Sequence, residues 1–400
     1  FHNAGSRGIE GLSIELDEGN DFIQIIQNSY LSMDISPGEQ VIVSSIKVKP
    51  VSHMINGTTV SLKYLFTSMN GFSGEDCITM SVGTRDEGDP MGPDEYGYYI
   101  YDSGDTSYPL SPDYEWIEIV GNGGTNFNFT DSGDGCYSSG GGWYGCNDLE
   151  GEDTEVLELP FPFQFYGIEY DEITVSTNGW ISFGAHEMSA FRNYSIPGAG
   201  GPSPMVAGFW DDLTTDNGGD VYYKVSDDSV IIQWDEMRIH DHGSQENTFQ
   251  MIIYNSSNPE HLTQSGDGEI KIQYKQFRNI SDGDYFEYTP VHGGYSTIGI
   301  ENHLGNMGLE YTFNDSYPIE AMELNDFTAI FITTSLGFIF EPGDVNQDEA
   351  VNILDIVTIV NFILGVLEPT AYQEYAGDLN VDGLINVLDI VLAVNIVLDN

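Results

Sequence analysis

Two stretches near the carboxy end of this chain carry oxygen at a spacing that suits a hard cation. In "GDVNQDEAVNILD", Asp344, Asn346, Asp348, Asn352 and Asp355 occupy positions 1, 3, 5, 9 and 12 of a loop. In "GDLNVDGLINVLD", Asp378, Asn380, Asp382, Asn386 and Asp389 repeat those positions without a gap. A short turn of this kind wraps calcium, which takes six to eight oxygens at roughly 2.3–2.6 Å. Position 7 ligates through its backbone carbonyl, so Ala350 and Leu384 need no special side chain. Position 6 favours Gly for the sharp turn; Gly383 supplies it in the second loop, whereas Glu349 in the first implies either strain of roughly 1–2 kcal/mol or a distorted, weaker site. An Asp/Asn-rich turn that binds nothing is the bland alternative. Two in-phase copies of a five-oxygen pattern argue against it.

Elsewhere the chemistry is thinner. Asp211, Asp212, Asp216 and Asp220 crowd "FWDDLTTDNGGDVYY", where a third cation site competes with a solvated acidic turn. His240 and His242 stand two apart, which suits a metal on a strand or a polar hairpin tip. No HExxH, nucleophile elbow or phosphate loop is present. Tyr96, Tyr98, Tyr99, Tyr101, Trp116 and Trp180 offer either a sugar-stacking platform or ordinary β core. Asn-x-Ser/Thr sequons at Asn56, Asn128, Asn193, Asn255, Asn279 and Asn314 permit glycosylation. Cys136 and Cys146 bracket "CYSSGGGWYGC", and a disulfide there would add roughly 3 kcal/mol by closing the loop. Cys77 is then left over as a buried small hydrophobe, and its pairing with either of the others is the alternative.

Charge narrows the partners. Against 64 Asp+Glu stand only 11 Lys+Arg, a formal charge of −53. Nucleic acid and anionic membrane both need cationic patches, so neither is an expected partner. No apolar span long enough for a membrane occurs, and the first residue is Phe, which is expected of a chain whose export signal has been removed. Low-affinity calcium sites suit the high calcium of a secreted, extracellular or cell-surface setting.

The elements that position these groups follow from periodicity. After each loop comes a helix-length apolar run. In the first, Asn352, Asp355, Thr358 and Asn361 form one narrow polar stripe, and apolar side chains cover the rest. A helix needs an apolar arc of only about 100° to face its own core, so a second greasy face is left for a protein surface. A membrane span would need about 20 uninterrupted apolar residues. Upstream, runs such as "QVIVSSIKVKPV" and "TVSLKYLF" are β-branched and aromatic between Gly, Asn and Pro turns. The expected fold is mainly β: a first antiparallel β-sandwich over 1–120, a Gly-rich linker over 121–153, and a second sandwich over 154–336. A small helical module follows over 343–400.

The paired loop-and-helix segments resemble the duplicated calcium-binding repeat of type I dockerin modules. That likeness implies two calcium ions and a docking surface for cohesin, a β-sandwich partner, formed by residues just after each loop. Here these are Ile353, Leu354 and Val357, with Val387, Leu388 and Val391; the Ile353–Leu354 and Val387–Leu388 pairs are apolar where the best-known members carry Ser–Thr. The order "LPFPFQFYG … ITVSTNGWISFG … VAGFWDDL … VIIQWDEM" resembles the β-sandwich appended to secreted peptidases of the immune-inhibitor-A and gingipain-like types, where that part is accessory.

The leading expectation is a secreted, non-enzymatic, calcium-binding structural or adhesive protein. Its carboxy-terminal module would dock on a β-sandwich of a second copy, and such a head-to-tail contact propagates into a filament or surface layer. The alternatives are an accessory part of a secreted peptidase or hydrolase tethered to a cohesin-like scaffold, and a glycan-binding module.

Overall fold

The computed structural model describes all residues except 17–22, 28–32, 43–45, 51–53, 132–152, 216–217, 241–243, 264, 281–294, 336–341, 347, 349, 370, 381–382 and 400. The described chain is mainly β, with α-helix confined to the carboxy end, and divides into two units, Phe1–Asp86 and Glu87–Asn400.

In the first unit, β1 (Ile9–Leu16), β2 (Ile23–Gln27), β3 (Met33–Ile35), β4 (Lys47–Pro50), β5 (Thr58–Thr67) and β6 (Ser73–Val82) form a four-stranded sheet, β3-β1-β5-β6, and a β2-β4 pair. Its core is small: Leu12, Ile14 and Ile35, with Tyr64 and Phe66 packed alongside. The β5–β6 hairpin pairs continuously from Thr58↔Val82 to Thr67↔Ser73.

The second unit opens with β7 (Tyr99–Asp102), β8 (Thr125–Asn126), β9 (Thr154–Phe165), β10 (Ile168–Ser176) and β11 (Trp180–Phe183). It continues through β12 (Met205–Trp210), β13 (Leu213–Thr214), β14 (Asp220–Val225), β15 (Ser229–Ile239) and β16 (Glu246–Tyr254). It closes with β17 (Ile270–Gln276), β18 (Thr297–Glu301), β19 (Gly308–Thr312) and β20 (Thr328–Thr333). These make a six-stranded sheet, β19-β18-β12-β11-β10-β9, and an eight-stranded one, β7-β20-β17-β16-β15-β14-β8 with β13 beside β15. Apolar side chains of both sheets share one core. Polar tips of two buried aromatics tie the sheets together: Trp234 Nε1 donates to the Ser176 carbonyl at 2.8 Å, and the Tyr274 hydroxyl to the Gly208 carbonyl at 2.8 Å. Buried Tyr and Trp need such partners, and here the partner lies in the opposite layer.

Three sequence expectations are displaced by this packing. The second sandwich starts well before residue 154, because β7 pairs with β20 from Thr333↔Tyr99 to Ile330↔Asp102. The stretch 113–119 crosses the outside of the eight-stranded sheet. Three fully buried glutamines, Gln233, Gln250 and Gln273, hold it as a backbone would. Gln273 Nε2 donates to the Glu115 carbonyl at 2.7 Å, and Gln250 Nε2 to the Ile117 carbonyl at 3.1 Å. The opening of the Gly-rich linker is also bound: Phe127 stacks on Phe129 at 4.9 Å and donates its N–H to the Val221 carbonyl at 3.0 Å. Tyr98, Tyr99, Tyr101 and Trp180 are core residues rather than a sugar platform.

At the carboxy end α1 (Ile353–Ile363), a short α2 (Ala371–Gly377) and α3 (Val387–Asp399) pack together. Val345, Ile356, Ile359, Ala376 and Ala393 form the centre, joined by Phe362, Leu379, Ile385, Ile390 and Val394. The connecting α2 carries no amphipathic period of its own in the sequence, yet it places Ala376 in that centre.

Candidate metal centre

The two loops precede α1 and α3. In the first, the carboxylates of Asp344, Asp348 and Asp355 offer oxygens all within 4.8 Å of one another, the one such His/Cys/Asp/Glu cluster among the described residues. Oxygens around a single calcium at 2.3–2.6 Å lie at most about 5 Å apart, so this donor set fits the ion.

Asp355 is fully buried and organises the loop. Its Oδ1 accepts the N–H groups of Val345 at 2.9 Å and Asn346 at 3.0 Å, while Oδ2 accepts that of Asn352 at 2.8 Å. The last of these is half of a capping box, the other half being the Asn352 side chain at the N-terminus of α1. Asn352 Nδ2 also reaches the Ala350 carbonyl at 2.8 Å. Asp348 N–H donates to Asp344 Oδ1 at 3.1 Å, and to Asn346 Oδ1 at 3.0 Å. Burial raises the Asp355 carboxyl above the ordinary carboxylate value, with the Asp348 charge adding to the rise against the backbone donors. A bound divalent cation reverses that balance by favouring the ionised form.

The second loop repeats the arrangement. Asp389, fully buried, accepts Asn380 N–H at 3.2 Å and Asn386 N–H at 2.8 Å. Asn386 Oδ1 accepts Leu388 N–H at 2.9 Å, its Nδ2 donates to the Leu384 carbonyl at 3.0 Å, and Asp378 Oδ2 accepts Gly383 N–H at 2.7 Å. Gly383 sits at φ +82°, the left-handed conformation that position 6 requires. Glu349 and Asp382 lie outside the described residues.

Beside the loops lies an apolar face. Ile353, Leu354 and Val357 on α1, and Val387, Leu388 and Val391 on α3, are each more than half exposed, from 51% for Val357 to 63% for Val387. The opposite sides of both helices fill the module's core. Six large apolar side chains in solvent at equivalent turns make a surface that another protein would cover.

The remaining expected sites fare differently. Asp211 and Asp212 are buried, and Asp212 accepts the backbone N–H of His240 at 2.7 Å through its carbonyl. Asp220 begins β14 and accepts the Tyr222 hydroxyl at 3.3 Å, so the fold does not gather Asp211, Asp212 and Asp220 into one cluster. Asp216, His242, Cys136 and Cys146 lie outside the described residues, and Cys77, expected to be buried, is instead exposed on β6. Asn56 and Asn128 are exposed, and Asn255, Asn279 and Asn314 are half-buried. Asn193 corrects the sequon reading: it is fully buried, and its Nδ2 donates to the Tyr295 carbonyl and to Thr297 Oγ1, which leaves no access for a glycan on the folded chain.

Comparison with known families agrees with these two parts of the chain. Residues 342–398 match the type I dockerin domain, a calcium-binding, non-catalytic module that docks onto cohesin partners. Residues 126–330 match the family described as NIDO related, and the likeness to peptidase accessory sandwiches gains no support. No solved structure matches the chain. Among the described residues no helix is long and apolar enough to cross a membrane. Since the NIDO-related match spans just over half of the chain, the chain belongs to the NIDO-related family, and it carries a type I dockerin domain at its carboxy end.

Proposed function

We propose that this is an extracellular docking protein whose dockerin module joins its β-sandwiches to a cohesin-like partner. Calcium in the first loop is held by Asp344, Asn346, Asp348, the Ala350 carbonyl, Asn352 and Asp355. A second ion is held by Asp378, Asn380, Asp382, the Leu384 carbonyl, Asn386 and Asp389. The observation that carries the reading is the apolar face of α1 and α3 placed directly after those loops. Fixing the loops fixes the first turn of each helix, and the first turns present Ile353, Leu354, Val387 and Leu388.

The chain's own paired sheets favour a second reading. A neighbouring copy supplies a β-sandwich for the same face, and head-to-tail repetition builds a filament or surface layer. One experiment separates the two. The full chain is mixed with a panel of type I cohesin β-sandwiches, in calcium and in chelator, and followed by calorimetry and sedimentation. Calcium-dependent capture by a cohesin supports the first reading. Calcium-dependent growth of the chain alone supports the second. A chain that stays solitary and ignores every cohesin in calcium refutes both.

A further inference from the structure

The first unit contains a cleft of about 830 Å³ between the N-terminal arm and the β1–β5–β6 face. Bound small molecules occupy cavities of roughly 300–1,000 Å³, so the space suits one. Its floor is aromatic. Tyr64 and Phe66 come from β5 and Phe72 from the turn after it; Phe66 and Phe72 stack at 5.5 Å with planes 22° apart, and Tyr64 follows at 6.3 Å. Phe72 is half-exposed, so one ring face is free for a ligand.

The walls are set before any ligand arrives. Asn3, itself buried, pins the arm by donating Nδ2 to the carbonyls of Arg7 at 2.8 Å and Ile35 at 3.0 Å. Asn70 closes the other side by donating Nδ2 to the Gly8 carbonyl at 2.9 Å. Asp76 accepts the Tyr64 hydroxyl at 3.1 Å and lines the rim. Arg7 also lines the cleft, and its guanidinium makes no ion pair or side-chain hydrogen bond with the described residues.

We propose that this cleft binds an acidic saccharide. Flat aromatic rings cover the C–H face of a pyranose ring and exclude water from it. The carboxylate of Asp76 accepts from sugar hydroxyls. Arg7 offers a planar fork of donors that matches a carboxylate, which selects a uronate over a neutral sugar. An apolar ligand would leave Arg7 and Asp76 unused at the rim, and a strongly cationic one would be repelled by Arg7.

The test uses the full chain, with calorimetry against a panel of uronate-containing hexasaccharides, neutral hexasaccharides of equal length, and a poly-glutamate peptide. Uronate binding is expected, weakening as salt rises and unchanged by chelator. Arg7→Gln should lower uronate affinity at least tenfold and leave neutral-sugar binding alone, while Arg7→Lys retains most of the affinity. Phe72→Ala, at a half-exposed position that does not threaten the fold, should weaken every saccharide. No binding to any saccharide, equal binding of poly-glutamate, an Arg7→Gln variant that binds like the parent, or loss of binding in chelator would each overturn the assignment.

Discussion

Replacing Asp105 by Asn should remove a pH dependence from the central sandwich and stabilise it at alkaline pH. Asp105 is fully buried in the turn after β7. Its Oδ2 accepts the Asp102 N–H at 2.8 Å, while Oδ1 has no hydrogen-bond partner. Burial, and then the neighbouring charges of Asp102 and Asp89, push its carboxyl from 3.8 up to about 8, against the opposing Asp102 N–H. The folded state therefore holds a proton that the unfolded chain gives up above about pH 4. The stability present at acid pH is then lost as pH rises from about 4 towards about 8. At roughly 1.4 kcal/mol per pH unit, the loss between pH 5 and pH 8 is about 4 kcal/mol as an order of magnitude. Asn keeps an oxygen for the Asp102 N–H and puts an uncharged NH2 where Oδ1 stands. Urea unfolding followed by tryptophan fluorescence isolates the effect, since all five Trp lie between residues 116 and 234. The variant should gain on the parent by several kcal/mol from pH 5 to pH 8. Parallel pH profiles for the two proteins would show that Asp105 is ionised in the folded state and refute the reasoning.

Three further outcomes follow from the same contacts. Asp355→Ala orphans three loop N–H groups that the carboxylate now satisfies, at about 1–3 kcal/mol for each one left buried; calorimetry should then count one calcium ion per chain in place of two. Leu354→Asp combined with Leu388→Asp places charge on the exposed face of both helices, and should weaken cohesin binding at least a hundredfold. Because both side chains are more than half exposed, the unfolding midpoint of the calcium-loaded module should stay within a few degrees. Gly179→Ala should lower sandwich stability by several kcal/mol in urea, since Gly179 sits at φ +75° and an added Cβ would clash with the Phe209 carbonyl oxygen.

What was legible in the sequence divides along physical lines. The calcium loops could be read because each oxygen is placed by its spacing from the next, and the two copies check each other. The mainly β architecture could be read because a two-residue alternation survives wherever a strand faces a core. The same alternation does not say which sheet a strand joins, so β7 reads as part of the first domain although it pairs with β20 in the second. The strap over the eight-stranded sheet was equally hidden. Gln233, Gln250 and Gln273 lie 17 and 23 residues apart and meet only when β15, β16 and β17 align. A tripeptide cannot report burial, which is why the Asn193 sequon read like the other five.

Long-range convergence also decides which acids do chemistry. Asp344 and Asp355 were found because a loop delivers them to one ion from within 12 positions. Asp102 and Tyr311 meet at 2.8 Å across 209 positions, and no local pattern marks that contact. In a chain this acidic most carboxylates are solvated, so composition alone cannot rank them; the fold does so by withholding water. Asp105 has lost its water and gained only one backbone donor, whereas Asp355 has gained three. Burial lifts both carboxyls, but one backbone N–H opposes the rise in the turn after β7 and three oppose it in the loop before α1. The number of N–H groups converging on each carboxylate separates the two sites, and that number can be altered one residue at a time.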